Sequence, residues 1–254
     1  MRVRILPVAP GDTSGVQYLT TFVIDDRIAI DAGCLGLHAT TRPFCGLTHV
    51  FLTHAHIDHI GTLPLFLENC HERGTGPVRV CGPREALDAV RDHLLNDRVW
   101  LDHDRIGRDG HGWIELLPLE AERPVALDGL WIVPVPVAHT VPTFGYVVDD
   151  GKSAVAFGAD SGPTDRIWEI AGATGRLRAA FLECSFPDGL EDLAARTGHL
   201  TPRLWAEEAS KLPPDTAVIA VHLKPAHRDR IRAGLAAIVD GRARIGELGR
   251  EYSF

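Results

Sequence analysis

Long apolar runs, paired cysteines and excess basic charge are all missing from this 254-residue chain, and each absence removes a class of function. No stretch approaches the roughly 18 consecutive apolar residues of a membrane-spanning helix. The opening residues, MRVRILPVAPGD, lack the long apolar core of a secretory signal. By default this places the chain in the cytoplasm, with no membrane partner. The five cysteines, Cys34, Cys45, Cys70, Cys81 and Cys184, are odd in number and show no CxxC pair. They suit reduced, mostly buried thiols better than a disulfide framework. Lys and Arg number 26 against 34 Asp and Glu, a net charge of −8. Broad nucleic-acid surfaces draw on clustered basic side chains, so extended nucleic acid is not an expected partner.

What remains is ordinary globular composition, 45% hydrophobic and 24% charged. A single domain over residues 1–254 is the default at this length. Ten short β-rich runs stand out: Arg2–Val8, Tyr18–Ile24, Ile28–Ile30, His49–Leu52, Val78–Cys81, Leu130–Val137, Gly145–Val148, Ala154–Phe157, Ala179–Leu182 and Ala217–Val221. Helical patterns lie between them, near Leu63–Glu72, Pro83–Asn96, Thr164–Gly172, Gly189–Arg196, Thr201–Lys211 and Ala226–Ile238. Thr201-Pro202 reads as an N-cap followed by proline at the first helical position. Helices interspersed among strands indicate an α/β or α+β layered fold. The charged, glycine-containing stretch Trp100–Leu116 reads as a long surface loop, with a lid over a site as the functional alternative.

The densest chemistry is THAHIDHIG, residues 53–61. Alternation in an extended segment points His54, His56 and Asp58 to one side, and a turn at Asp58 lets His59 join them. Imidazole and carboxylate donors suit zinc, and also iron or manganese, whereas calcium and magnesium prefer oxygen-rich shells. Three further residues each follow a β-like run: His139 after LWIVPVPVA, Asp160 after SAVAFGA and His222 after AVIAV. If those strands share a sheet edge with the one before His54, seven N/O donors gather there. Seven donors exceed one zinc site and match two divalent ions.

The motif and the later His, Asp and His resemble the metallo-β-lactamase fold superfamily, from about Asp31 to His222. The resemblance implies an αββα four-layer sandwich with metals at one edge of two sheets. It assigns His54, His56 and His139 to one ion and Asp58, His59 and His222 to the other, with Asp160 bridging. Asp31, in IDAG, matches the superfamily's early aspartate, a supporting residue rather than a ligand.

Three segments narrow the resemblance. ECSFP (183–187), TGHLTP (197–202) and HLKP (222–225) are similar to runs of the class II cyclic-nucleotide phosphodiesterases. HLLNDRVWLD (93–102) is similar to another, with Leu101 where that class has proline, and Ile57 replaces its usual leucine. The implied reaction is hydrolysis of a 3′,5′-cyclic nucleotide (cyclic AMP or cyclic GMP) to a 5′-monophosphate, with hydroxide generated between the ions. A small anionic substrate is compatible with the acidic chain because bound metal ions reverse the potential inside a pocket. A homodimer is equally compatible. The enzyme rival is another hydrolase of the same fold, acting on a different phosphodiester, a thioester or a lactone; the non-enzyme rival is a metal-binding regulatory protein. Asp58 and His199 are the candidate catalytic residues. His199 serves either as a phosphate contact or general acid, or as a histidine packed against the helix start. Lys224 and Arg228 suit exposed ion pairing, with phosphate contact as the other reading. His38, His49, His71, His93, His103, His111 and His227 read as surface or structural, with His103 and His111 as rim contacts.

Overall fold

Alternation within the short apolar runs divides their side chains between two faces. In the strand His49–Phe51, Val50 packs outward among helices while Phe51 turns inward between two sheets. In Leu177–Glu183, Ala179 and Phe181 face inward while Ala180 and Leu182 face helices on the other side. A strand with apolar residues on both faces demands cover on both, and the result is a helix–sheet–sheet–helix sandwich. The computed structural model describes residues 1–38, 44, 46–72, 77–102, 113–238 and 243–254.

The first sheet contains β1 (Arg2–Ile5), β2 (Phe22–Ile24), β3 (Ile28–Ile30), β4 (His49–Phe51), β5 (Val78–Gly82) and β6 (Ile114–Pro118). The second contains β7 (Val125–Leu127), β8 (Leu130–Val137), β9 (Thr143–Asp149), β10 (Ala154–Phe157), β11 (Leu177–Glu183), β12 (Ala217–Val221) and β13 (Ala243–Ile245). β14 (Glu251–Ser253) returns to the first sheet, giving the orders β14-β1-β2-β3-β4-β5-β6 and β13-β12-β11-β10-β9-β8-β7. Each sheet is antiparallel through one half and parallel through the other, β3 to β6 and β10 to β13 being parallel. Parallel neighbours require crossover connections, and the helices supply them. Leu63–Glu72 joins β4 to β5, burying Leu63, Phe66, Leu67 and Cys70 against the first sheet at helical spacing. Arg166–Ala173, Pro202–Ser210 and Arg228–Ile238 cover the second sheet with Trp168, Trp205 and Leu235.

All ten expected strands form, with bounds adjusted by a few residues. Four more were not foreseen. β7, β13 and β14 are three residues long and carry at most one buried side chain each, so they show no apolar run to read. β6 removes Ile114–Leu116 from the expected long loop and pairs with β5. Residues 103–112, which include His103, His111 and most of the expected lid, lie outside the described residues. The expected helix Pro83–Asn96 is α-helical only over Arg84–Ala89 and continues as a π-helical turn, Val90–Leu94. Thr201 occupies the N-cap position before Pro202, but its hydroxyl makes no capping bond and is buried without a partner among the described residues. Cys34, Cys70, Cys81 and Cys184 are buried, and Cys45 lies outside the described residues. Among the described residues no helix is long and apolar enough to cross a membrane.

Candidate metal centre

Strand direction explains why the candidate donors meet. β8 and β10 are both antiparallel to β9, and β10, β11 and β12 are mutually parallel, so these four strands deliver their C-terminal ends to one edge. His139, Asp160, Glu183 and His222 lie at or just past those ends. His54 and His56 follow β4 in the facing sheet. The extended segment stops at His56 (φ −63, ψ 146), one residue earlier than expected, and a helical turn, Ile57–Ile60, begins. Asp58 therefore leaves the side shared by His54 and His56 and turns with His59 toward Asp160 and His222.

Two groups result. Ring nitrogens of His54, His56 and His139 lie within 4.8 Å of one another, and so do donor atoms of Asp58, His59, Asp160 and His222. His139 Nε2 is 3.3 Å from His56 Nδ1, and His222 Nε2 is 3.1 Å from Asp58 Oδ2. His59 Nε2 is 3.4 Å from Asp160 Oδ2. The structure brings all seven expected donors together.

Hydrogen bonds set the rings. The Thr53 hydroxyl donates to the Asp31 carboxylate, 2.9 Å to Oδ2, so its oxygen accepts from His54 Nδ1 at 2.9 Å. His59 Nδ1 donates to Asp31 Oδ2 at 2.6 Å, and His139 Nδ1 to the Gly198 carbonyl at 2.9 Å. The Ser185 hydroxyl donates its one proton to the His222 carbonyl at 3.1 Å and accepts from His222 Nδ1 at 2.9 Å. In each case the partner takes Nδ1–H and leaves Nε2 turned to the centre, the arrangement by which outer partners orient metal-binding imidazoles. His54 Nε2 and His59 Nε2 are buried and have no hydrogen-bond partner among the described residues. Buried polar atoms seldom go unpaired. His54 Nε2 has only imidazole nitrogens around it, and His59 Nε2 has the Asp160 carboxylate at 3.4 Å without an aligned hydrogen bond to it, so each group fits a cation. These donors could hold metal ions.

The electrostatics agree. Burial pushes the Asp160 carboxyl up, but the His222 and His59 rings outweigh it and hold the group well below its usual range. Asp58 is likewise lowered, burial being overcome by the hydrogen bond from His222 and the charge of His59. At Asp31 burial wins and the pKa rises, although His59 and Thr53 oppose it. Burial lowers His59, yet Asp160 and Asp31 raise it well above an ordinary histidine. The site thus draws in positive charge. Backbone strain collects here too: Asp31, Ala159 and His222 have φ of 61°, 55° and 56°, a region that L residues occupy at a cost of about 1–3 kcal/mol. The His222 N–H donates to Gln17 Oε1 at 2.8 Å, which ties the N-terminal segment to the strained residue.

His199 lies beside the donor groups. It is buried, with its ring centre 5.1 Å from that of His139 and 5.8 Å from that of His222. Its Nδ1 is 2.7 Å from Glu183 Oε1. Burial lowers His199 to about 4, while burial and the Asp160 charge raise Glu183 to about 8, so burial disfavours the charged form of each. Glu183, Ser185, Gln17 and Gly198 were not among the expected site residues. Three stood inside the quoted segments ECSFP and TGHLTP, but nothing in their local pattern names their distant partners. The ion pairs expected for Lys224 and Arg228 do not form among the described residues, whereas Arg166 and Arg203 do pair with Glu122 and Glu207.

The profile of the family described as Beta-lactamase superfamily domain matches residues 26–223. An uncharacterized protein of Mycobacterium tuberculosis is 30% identical over 127 residues, 48% of this chain and 44% of that protein, so the match spans less than half of that relative. The solved structure of unliganded yeast PDE1 is similar with a TM-score of 0.79 at 19% identity, covering 98% of each chain. Human tRNase Z, short form, gives 0.70 at 16% identity, covering 100% of this chain and 99% of that one. At these identities the two structures show a shared fold.

Proposed function

From its membership of the beta-lactamase superfamily and the two donor groups, we propose that the chain is a single-domain, dinuclear metal-dependent hydrolase that converts 3′,5′-cyclic nucleotides to 5′-monophosphates. His54, His56 and His139 would hold one ion, Asp58, His59 and His222 the other, with Asp160 facing both. The donor set suits zinc, with iron or manganese as alternatives. When bound, such ions supply Lewis acidity toward phosphate oxygens and a nucleophile at neutral pH.

One observation carries the narrower reading. ECSFP, TGHLTP and HLKP, the segments that resemble cyclic-nucleotide phosphodiesterases, converge on this centre through Glu183, Ser185, His199 and His222. In the proposed reaction His199 Nε2–H gives a proton to the departing 3′-oxygen while Glu183 returns one at Nδ1. Burial keeps that pair uncharged and poised to transfer a proton. Asp31 and Thr53 hold His54 and His59 in place, and Ser185 does so for His222.

The test is a panel of cyclic AMP, cyclic GMP, an aryl phosphodiester and a thioester on metal-quantified protein. Cyclic nucleotides are expected to be the preferred substrates, with about two metal equivalents per chain. Asp58→Ala and His56→Ala are expected to abolish turnover. Rapid thioester hydrolysis without turnover of either cyclic nucleotide would overturn the substrate assignment. A fully metallated chain inert to all four would favour a binding protein.

A further inference from the structure

Just beyond His222 the chain carries positive charge that no carboxylate among the described residues pairs with. Lys224 caps the 3-10 turn Pro225–His227, with φ −55 and ψ 127, and its carbonyl accepts the His227 N–H at 2.9 Å. Its backbone is pinned two residues from a donor of the centre. The side chain is partly buried, and Nζ lies 5.3 Å from the centre of the Phe186 ring. That ring is 5.7 Å from His199. Phe186 thus lies between the ammonium and the buried His199 ring.

An aromatic face satisfies an ammonium from one direction only, and three N–H donors remain to be used. Among the described residues Lys224 makes no ion pair, although this chain carries 34 acidic residues. Lys211 shows the contrast: it reaches Asp165 at 2.7 Å and Glu208 at 2.6 Å. A partly desolvated cation without a counter-ion is unfavourable, and an anion entering the centre would compensate it.

We propose that Lys224 is the phosphate-recognition residue of this site, receiving phosphoryl oxygens of substrate and 5′-monophosphate product beside His199. It thereby favours phosphoesters over uncharged esters and thioesters. The substrate's identity rests on the cyclic-nucleotide reading; the anion site itself stands on the local geometry.

Inorganic phosphate and adenosine 5′-monophosphate are the probes, titrated calorimetrically into metal-loaded wild type, Lys224→Met and Lys224→Arg. Steady-state kinetics on cyclic AMP and a neutral thioester accompany them. Lys224→Met is expected to weaken both anions about tenfold or more, as for a lost charged hydrogen bond. Lys224→Arg is expected to stay within a few-fold of wild type. Metal content is expected to be unchanged and the thermal midpoint not lowered. Equal anion affinity in Lys224→Met and wild type, no anion binding by wild type, or loss of metal from both variants would overturn the proposal. If cyclic AMP is not hydrolysed while Lys224→Met still weakens phosphate, the substrate reading fails and the anion site stands. If cyclic AMP is hydrolysed with KM and phosphate affinity unmoved by Lys224→Met, the reverse holds.

Discussion

Gly198 shows how much a single residue can contribute without offering any side-chain chemistry. It ends the helix Glu191–Thr197 in the left-handed region at φ 65°, and its carbonyl orients His139. A Cβ there would lie 3.0 Å from both Cα and Nδ1 of His139. Gly198→Ala therefore combines a strained backbone, about 1–2 kcal/mol, with displacement of a candidate ligand. Lower thermal stability of the metal-free protein and weaker retention of metal against a competing chelator are expected together. Unchanged chelator competition would show that His139 does not depend on this contact. The residue scale is also where sequence reading was most incomplete. His54, His56, Asp58 and His59 declare themselves because four donors fall within six positions. Ser185 and Gln17 do not, because a hydroxyl or an amide has a role only once a ring or a backbone N–H 37 or 205 residues away is placed beside it.

At the scale of elements, the centre depends on two sheets holding a constant separation. Tyr146 on β9 crosses between them and donates its hydroxyl to the Leu52 carbonyl at 2.6 Å, just past β4 and immediately before the donor segment. Its ring packs edge-on against Phe51, 5.7 Å between centres. Tyr146→Phe keeps the ring and removes the bond, leaving a buried carbonyl unpaired on that side. A loss of about 1–2 kcal/mol in denaturant unfolding is expected, with a smaller effect on metal content than Gly198→Ala. No loss would mean that the apolar contacts alone set the spacing. Strand existence was readable wherever apolar residues filled both faces, as in Ala154–Phe157. It was not readable at the edges, where β13 and β14 are held by backbone pairing rather than by burial.

For the whole molecule, acid sensitivity follows from histidines remote from the centre as well as those in it. His38 and His49 are both buried, and burial holds each below the ordinary value of 6.5, with the Arg79 charge adding to the effect at His49. The unfolded chain binds protons more readily at these rings, so their contribution to stability is present above pH 6.5 and is lost as pH falls through their lower folded-state values. Thermal midpoints measured in chelator from pH 7.5 to 5 are expected to fall, and the double variant His38→Gln, His49→Gln to fall less steeply. Parallel slopes would assign the effect to other groups. The sequence by itself determined the alternating strands, the helices between them and the kind of atoms offered to a cation, because periodicity and donor chemistry are local properties. Only the tertiary structure decided that β8, β10, β11 and β12 end at one edge facing His54, that Asp58 turns away from His56, and that Glu183 meets His199 Nδ1. Those facts depend on strand direction, on where an extended segment yields to a helical turn, and on burial, and each is settled by residues far apart in the chain.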